Sequence, residues 1–524
     1  MVASFRSLPV LSLPGRPRLR WAVRLLCWVL FTSGHAGDFD ELKAQLRLRD
    51  KWERKSAVEG LARLGTPRAW ELVIEALQDE RGEVSDTAQW VLGELTDRKL
   101  IAKLARRDGL TSKDPWIRER TTELFGRLVA ANDIGPLLGQ LDDREVRVRQ
   151  AALLALGTRI RAGQLEGGDA KRIAKYLRVR YASDRDPHVR GQALAVLCAS
   201  GEADEMERFD ILRKSARNRE AAVRAVTATL LLDVEDDSLH EGRFVLLGKL
   251  VEDSARVVRA KAIETCARIA CKHAAGLLIE RIGHEANARL RRRIVQLLQK
   301  ISGTKHREDP RPWQAWLQRL PEDWKGRYVG NFRLDVAGKD ARGRLRSAVT
   351  PALPVLSDRL SFLIDLSGSI WQVRSDGKTK KEKVDEKLRE ALGRLPEDAR
   401  FNVIPFTSHP LPWKERLMKA NRRNVAMALR SFEDLRESGS GNIWDAIQLA
   451  LQDPETDTLI LLTDGAPTGG RRHRLELILP MLLHQNATRG VTFDVVLVGA
   501  SRKLENYWRT LAEGSGGALV SIEL

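Results

Sequence analysis

Residues 360–369 read Leu-Ser-Phe-Leu-Ile-Asp-Leu-Ser-Gly-Ser, and this stretch decides the architecture of the C-terminal part of the chain. Its apolar run ends in Asp365, and hydroxyl groups follow at Ser367 and Ser369. An apolar run of this length, bounded by Gly and Ser, favours a buried strand of the parallel kind. A carboxylate and two hydroxyls at the end of such a strand are hard oxygen ligands. These ligands suit Mg²⁺, suit Mn²⁺ and Ca²⁺ less well, and do not suit zinc.

Strand and helix patterns alternate around this stretch, from residue 358 to 524. The predicted strands are Leu360–Ile364, Phe401–Phe406, Thr458–Leu462, Thr492–Val498 and Ala518–Ile522, with a short edge strand at Leu411–Glu415. The predicted helices are Lys380–Leu395, Arg422–Phe432, Ile443–Leu451, Leu475–His484 and Lys503–Ala512. This alternation predicts a doubly wound α/β domain with a mostly parallel sheet. In such sheets ligands bind beyond the carboxyl ends of the strands, where strand order reverses.

Two further loops are expected at the same edge of the sheet. The strand that ends at Leu462 is followed by Thr463-Asp464-Gly465, and a Gly-rich turn, Ser438-Gly-Ser-Gly-Asn442, opens a helix. Together with Asp365, Ser367 and Ser369, these loops resemble the von Willebrand factor A (VWA) domain and its metal-ion-dependent adhesion site. The resemblance covers about residues 355–524 and implies a Rossmann-like fold. It also includes Ser357-Asp358-Arg359, Phe401–Phe406, Asn442-Ile-Trp-Asp-Ala-Ile447 and Leu511–Gly517.

The resemblance implies a metal site with a defined set of ligands. Asp365, Ser367 and Ser369 would bind the cation, and Asp464 would complete the shell directly or through water. The family places a Thr immediately before the Asn of its Gly-rich loop, whereas this chain has Gly441. The neighbouring Ser440 or a water molecule would replace the missing hydroxyl. We therefore expect a weakened Mg²⁺ site that retains both carboxylates.

The same resemblance implies metal-bridged adhesion. Mg²⁺ prefers six ligands, and a position left open by the protein can take an Asp or Glu side chain of a partner. A basic run beyond Asp464 would favour such an acidic ligand, although a solvated helix start is an equal alternative. The candidate ligand contacts are Trp371, Arg471, Arg472 and His473; Trp444 is expected in the core.

Residues 37–304 repeat a different pattern. An apolar residue followed by Arg recurs before Ala-rich helical segments, with 31 to 41 residues between successive arginines. This period predicts helix pairs that stack into a solenoid, because one pair cannot bury its apolar stripe alone. The pattern resembles HEAT repeats of the short bacterial type, in which Asp and Arg brace successive turns. The arginines are Arg118, Arg149, Arg190, Arg224, Arg259 and Arg291.

Residues 305–357 form the expected connector. Trp313, Trp316 and Trp324 predict a packed cap on the last repeat, with an exposed aromatic patch as the alternative. Tyr328–Val336 is a candidate strand, and Gly338–Ser347 is a candidate flexible join.

Residues 1–36 are typical of a signal peptide. Basic residues precede the apolar stretch Leu25–Thr32, and Gly34-His35-Ala36 supplies small residues for cleavage. The alternative is a basic amphipathic start of a cytosolic protein. The apolar stretch is too short for a transmembrane helix. Export would make the protein periplasmic, cell-surface or secreted.

Composition narrows the class of function. The chain has 524 residues, of which 43% are hydrophobic and 31% charged, so a folded multidomain protein is expected. Its net charge of +18 is partly due to five arginines in the first 36 residues, and no nucleic-acid motif accompanies it. No His or Glu is placed as a general base, so an enzyme is not expected. Outside the signal peptide, Cys198, Cys266 and Cys271 are expected to be buried core thiols.

The leading prediction is an exported, non-enzymatic protein-binding protein. Its VWA domain would bind an acidic ligand through metal, and the repeats would form a second interaction surface. The alternative is an intracellular assembly factor or chaperone adaptor that works with an ATPase. The sequence leaves the ligand and the oligomeric state open.

Overall fold

A computed structural model describes residues 35–165, 167–327, 357–373, 377, 379–499 and 501–522. Almost all of the expected signal peptide therefore lies outside the described residues, as do the candidate strand Tyr328–Val336 and the candidate join Gly338–Ser347. The chain divides into two compact units, one ending at Arg172 and one beginning at Ile173. None of the described helices has the length and apolar character needed to span a bilayer.

The first unit is helical. Its helices are α1 His35–Gln45, α2 Lys51–Leu64, α3 Pro67–Glu75, α4 Gly82–Val91, α5 Arg98–Leu104, α6 Pro115–Phe125, α7 Gly135–Gln140 and α8 Val146–Arg161; α9 Asp169–Ser183 crosses the division. Asp114 shows why a helix starts where it does. Its carboxylate accepts the Trp116 N–H at 2.8 Å, and Pro115 takes the first helical position, where no N–H is needed.

The recurring arginines brace the repeats. Arg118 donates from Nε and Nη2 to the Asp143 carboxylate at 2.6 and 3.0 Å. Its Nη1 donates to the carbonyls of Ser112 and Lys113, which lie six and five residues upstream. One guanidinium thus joins its own helix start to the turn of the next repeat. The same pattern recurs in the pairs Arg54–Asp79, Arg224–Asp253 and Arg259–Glu285. The predicted bracing role is confirmed.

The second unit contains a helical array of its own, followed by a sheet. Its array helices are α10 Pro187–Ala199, α11 Glu205–Ser215, α12 Ala221–Leu230, α13 His240–Val251, α14 Arg256–Ile269, α15 Lys272–His284, α16 Ala288–Ser302 and α17 Pro310–Gln318. Trp313 in α17 is fully buried and meets Trp316 edge-on, and Trp316 meets Trp324 in the same way. The three tryptophans pack on the core of the array. The packed cap is confirmed over the described residues.

One expectation about cysteine is wrong. Cys198 and Cys266 are buried, but Cys271 is partly exposed. Ala270 ends α14 in the left-handed conformation, so Cys271 lies outside that helix and caps the start of α15. The sequence does not indicate that the helix ends at Ala270, because apolar residues continue at helical spacing into the next helix.

The sheet has six strands, β1 Arg359–Asp365, β2 Arg400–Phe406, β3 Met418–Lys419, β4 Thr458–Thr463, β5 Thr492–Val498 and β6 Leu519–Ile522. Their order is β3-β2-β1-β4-β5-β6, and all neighbours are parallel except β3 with β2. Strand order therefore reverses at β1, which lies between β2 and β4. The five predicted long strands and the doubly wound fold are confirmed.

The predicted edge strand was placed wrongly. The edge strand is β3, whereas residues 411–415 lie beside β2 without forming a strand. Leu411 and Trp413 donate their backbone N–H groups to the carbonyls of Pro405 and Val403, and the Trp413 ring stacks on Phe401. The aromatic and apolar residues that suggested a strand thus pack against β2 as a loop.

Helices flank the sheet at α18 Lys380–Gly393, α19 Arg422–Glu433, α20 Ile443–Ala450, α21 Leu475–Asn486 and α22 Arg502–Gly514. Apolar residues of β1, β2 and β4 form one core cluster with α18 and α19. Helix α20 contacts β1 and β2, and α22 contacts β5 and β6. The buried patterns of β1, β4 and β5 are those of central parallel strands.

Within the second unit, array helices pack against the amino-terminal edge of the sheet. Arg289 of α16 forms a bidentate ion pair with Asp494 of β5, at 2.7 and 3.2 Å. Asn287 donates to Asp457, which precedes β4, and Arg256 donates to the carbonyl of Gly490, which precedes β5. Asp365 ends β1 at the opposite edge, so these helices leave the carboxyl ends of the strands uncovered.

Candidate metal centre

Asp365 lies where strand order reverses. It is the last residue of β1 and is only 3% exposed. Its Oδ1 accepts the backbone N–H of Ser367 at 2.9 Å, and its Oδ2 accepts the hydroxyl of Thr463 at 2.8 Å. Thr463 ends β4, the neighbouring strand. The carboxylate is therefore held in place by the two strands that meet at this point.

The two predicted serine ligands lie next to each other. The hydroxyls of Ser367 and Ser369 are 3.3 Å apart, and Ser367 is buried whereas Ser369 is partly exposed. The Gly-rich turn meets this loop, because Gly368 donates its N–H to the carbonyl of Gly439 at 3.1 Å. Trp371 follows on a short 3₁₀ turn and donates from its indole to the Leu366 carbonyl at 3.3 Å. The loop that follows β1 and the Gly-rich turn Ser438–Asn442 thus lie against each other.

The electrostatics of Asp365 are unusual for a buried carboxylate. Burial raises its pKa, and the negative charge of Asp464 acts in the same direction. The hydrogen bonds from Ser367 and Thr463 act in the opposite direction. In the part of the chain that the structure describes, Asp365 has no cationic side chain as a partner. A cation bound here would remove the cost of burying this charge.

Asp464 does have a cationic partner, which the sequence analysis missed. Lys380 Nζ lies 3.0 Å from Asp464 Oδ2, and the two side chains are 18% and 9% exposed. Lys380 is the first residue of α18, whose start is fixed by a capping box between Thr379 and Glu382. The local sequence Thr-Lys-Lys-Glu signals this helix start, but the contact with a loop 84 residues away depends on the tertiary fold.

Gly441 faces the Asp365 carboxylate. A Cβ atom added at Gly441 would lie 3.3 Å from each Asp365 carboxylate oxygen and 3.4 Å from the Thr468 hydroxyl. Gly441 donates its N–H to Thr468 Oγ1 at 2.7 Å, and Thr468 donates its N–H to the Gly441 carbonyl at 3.2 Å. The space that a threonine at 441 would enter is therefore bordered by oxygen atoms from two other loops.

Ser440 is oriented by a different neighbour. Its hydroxyl is 3.1 Å from the Ser408 hydroxyl, and a Cβ added at Gly469 would fall 2.1 Å from it. The Ser440 side chain thus lies between Ser408 and Gly469. Its role as a metal ligand stays a prediction.

The basic run beyond Asp464 divides into buried and accessible members. Arg472 is 1% exposed, and its guanidinium lies 5.6 Å from the centre of the Trp444 ring. This burial is inconsistent with the predicted ligand contact by Arg472. Trp444 is itself only 4% exposed, which confirms it as a core residue. Arg471 is exposed and His473 is partly buried, so both remain candidates, as does the partly buried Trp371.

Comparison with known proteins supports both halves of this architecture. The family profile for HEAT repeats matches residues 39–126. Inter-alpha-trypsin inhibitor heavy chain H2 from Homo sapiens is 32% identical over 130 residues, which is 22% of this chain and 13% of that protein. Von Willebrand factor A domain-containing protein 3B from Homo sapiens is 31% identical over 112 residues, or 21% of this chain and 8% of that protein. The matches thus span a small part of either relative.

Solved structures that match include a von Willebrand factor type A protein from Catenulispora acidiphila. It is 21% identical, and the match covers 32% of this chain and 39% of that one, with a TM-score of 0.27. The SpRpn10 VWA domain matches with 15% identity over 32% of this chain and 87% of that one, with a TM-score of 0.26. The chain thus carries HEAT repeats near its N-terminus, and its C-terminal α/β domain is similar to von Willebrand factor A domains.

Proposed function

We propose that the VWA domain is a non-enzymatic protein-binding module that works through a divalent cation. Asp365, Ser367 and Ser369 would hold Mg²⁺, with Asp464 as a direct or water-mediated ligand. An exposed Asp or Glu of a partner protein would occupy the remaining coordination position. The observation that carries this proposal is a buried carboxylate, Asp365, which is held by neutral donors and has no cation among its described partners.

The donor set fits a hard cation. Two carboxylates and two hydroxyls suit Mg²⁺ or Mn²⁺, which bind oxygen, and offer none of the sulfur or imidazole ligands that zinc prefers. The space beside Gly441 is bordered by further oxygen atoms, those of the Asp365 carboxylate and the Thr468 hydroxyl. When bound, the cation would supply a positive charge that attracts an acidic partner side chain.

Lys380 sets a condition on metal binding. Its ammonium group already neutralises Asp464 at 3.0 Å. A cation that uses Asp464 must therefore share this carboxylate with Lys380 or displace it. This competition would lower metal affinity.

The proposed role is binding rather than catalysis. Of the groups described at this centre, Asp365, Ser367, Ser369 and Asp464 would coordinate the cation, and Lys380 neutralises a carboxylate. The HEAT repeats would supply a second protein-interaction surface, formed by those faces of the array that do not pack on the sheet. Export of the chain is part of the proposal and rests on the pattern of residues 1–36.

Mn²⁺ provides a test, because water bound to it speeds the relaxation of solvent protons. We expect titration of the full chain with Mn²⁺ to enhance water-proton relaxation, which indicates an open coordination position. Asp365→Asn should abolish the enhancement. Capture of a partner from the exported fraction should then be lost in chelator and in the Asp365→Asn variant. No enhancement with the parent protein, or equal enhancement with both proteins, would contradict the proposal.

A further inference from the structure

We propose that Thr468 supplies the hydroxyl ligand that the chain lacks at Gly441. This inference rests on the proposed metal-binding function and identifies one more residue of the same site. It moves a ligand from the Gly-rich turn before α20 to the loop after β4.

The contacts of Thr468 carry the inference. Its hydroxyl oxygen and both Asp365 carboxylate oxygens lie within 3.4 Å of one point, the position of a Cβ at residue 441. A threonine hydroxyl reached from residue 441 would start from that same point. Thr468 therefore brings an equivalent oxygen to the space from the other side.

Two hydrogen bonds hold Thr468 in this position. Gly441 donates to the Thr468 hydroxyl at 2.7 Å and accepts from the Thr468 backbone at 3.2 Å. A hydroxyl oxygen has two lone pairs, so it can accept the Gly441 N–H and also coordinate a cation. The bonds tie together the loops that precede α20 and follow β4, which fixes the hydroxyl before any cation binds.

The same geometry accounts for glycine at position 441. Gly441 has no positive φ angle, so its backbone conformation does not require glycine. A side chain would instead press on Asp365 and Thr468, at distances tighter than most Cβ contacts. Glycine thus leaves room for the Thr468 hydroxyl, and the two residues act as a pair.

Ser440 is the competing candidate, and its contacts point elsewhere. Its hydroxyl is engaged with Ser408 at 3.1 Å and lies against the backbone of Gly469. To coordinate a cation beside Asp365, it would have to leave both. Ser440 therefore provides a matched control, since it is a hydroxyl residue next to Gly441.

The test compares Mg²⁺ affinity by calorimetry in full-length variants. Thr468→Val should weaken binding by at least about tenfold, which is the scale of losing a metal-site group. Thr468→Ser keeps the hydroxyl and should bind like the parent. Ser440→Ala should stay within about twofold of the parent, since its hydroxyl is not a ligand. Adding Gly441→Thr to Thr468→Val should restore affinity, because a hydroxyl again reaches the same space.

The outcomes separate the role of Thr468 from the metal site itself. If the parent binds Mg²⁺ and Thr468→Val binds equally well, the inference is wrong and the proposed metal site stands. If Ser440→Ala causes the loss instead, Ser440 is the ligand and the inference is again wrong. If the parent binds no Mg²⁺, both are wrong. Thr468→Ala replaces Thr468→Val if the valine variant does not fold, as judged by circular dichroism.

Discussion

Two buried carboxylates at opposite edges of the sheet, Asp494 and Asp365, have different partners. Asp494, at the amino-terminal edge, is fully buried and receives both ends of the Arg289 guanidinium. Asp365, at the carboxyl-terminal edge, is nearly as buried but receives only a backbone N–H and a hydroxyl. The first arrangement neutralises the charge within the protein and joins the repeats to the sheet. The second leaves the charge for a cation from solution.

The difference separates a structural site from a binding site. A buried charge costs free energy unless it is paired, so an arginine partner within the protein stabilises the fold. A buried charge without such a partner favours the binding of a cation. Lys380 is intermediate between a structural partner and a missing one. It neutralises Asp464, but its long side chain can move away when a cation binds.

Removal of the arginine should damage the structural edge most. Arg289→Met leaves Asp494 buried and unpaired, so we expect the free energy of unfolding to fall by about 3–5 kcal/mol. Urea denaturation of the full chain, followed by tryptophan fluorescence, measures this change. The control is Arg213→Met, which breaks an exposed pair with Asp210 and should cost less than about 1 kcal/mol. Equal losses in the two variants would refute the structural role of Arg289.

Neutralising Asp365, the carboxylate at the other edge, should not lower the free energy of unfolding. In metal-free buffer, Asp365→Asn should be as stable as the parent or more stable by about 1 kcal/mol, because it removes a buried unpaired charge. Asp494→Asn should be destabilised. With Mg²⁺ present the order of parent and Asp365→Asn should reverse, since only the parent gains binding free energy. Thermal unfolding of all three proteins gives the answer, and a metal-free Asp365→Asn as unstable as Asp494→Asn would contradict it.

The pH dependence follows from the same charge. Burial raises the pKa of Asp365 in the folded protein, so the folded state binds this proton more tightly than the unfolded chain does. The contribution of Asp365 to metal-free stability is therefore full at low pH and is lost as pH rises through the raised pKa. The stability difference between the parent and Asp365→Asn should vanish at low pH and should appear as the pH rises through the raised pKa of Asp365. A difference that does not change with pH would exclude this origin.

The smallest expected effect concerns the competing ammonium. Lys380→Met removes the cation beside Asp464 and should raise Mg²⁺ affinity about fivefold, as expected for loss of a pair worth about 1 kcal/mol. Lys387→Met is the control, because Lys387 pairs with Glu390 on the same helix and away from the centre. Calorimetry on both variants measures the change. Unchanged or lower affinity in Lys380→Met would show that Lys380 does not compete with metal.

Much of the fold could be predicted because its signals are local. The apolar run of β4 is continuous, and those of β1 and β5 are each interrupted once, by Ser361 and Asp494. Gly or polar residues bound these strands, as expected for central strands of a parallel sheet. The Arg–Asp spacing of the repeats also reflects a bond that recurs at nearly constant separation. In both cases one physical requirement acts on residues close in sequence.

The features that escaped prediction depend on contacts between distant segments. Lys380 is one of many lysines in its region, and only the fold brings it to Asp464. Arg472 belongs to a basic run that suggests an exposed surface, yet its guanidinium packs over Trp444. Thr468 stands in no motif, and its relation to Gly441 becomes visible only when the two loops meet. Sequence spacing carries no information about such pairings.

Titration of Mg²⁺ into the full chain and into Asp365→Asn, followed by calorimetry, tests the central claim most directly. We predict saturable binding at one site in the parent and none in the variant, because Asp365 is buried at the carboxyl ends of the strands and has no cation among its described partners. Binding that is absent from the parent, or equal in the two proteins, would contradict this account.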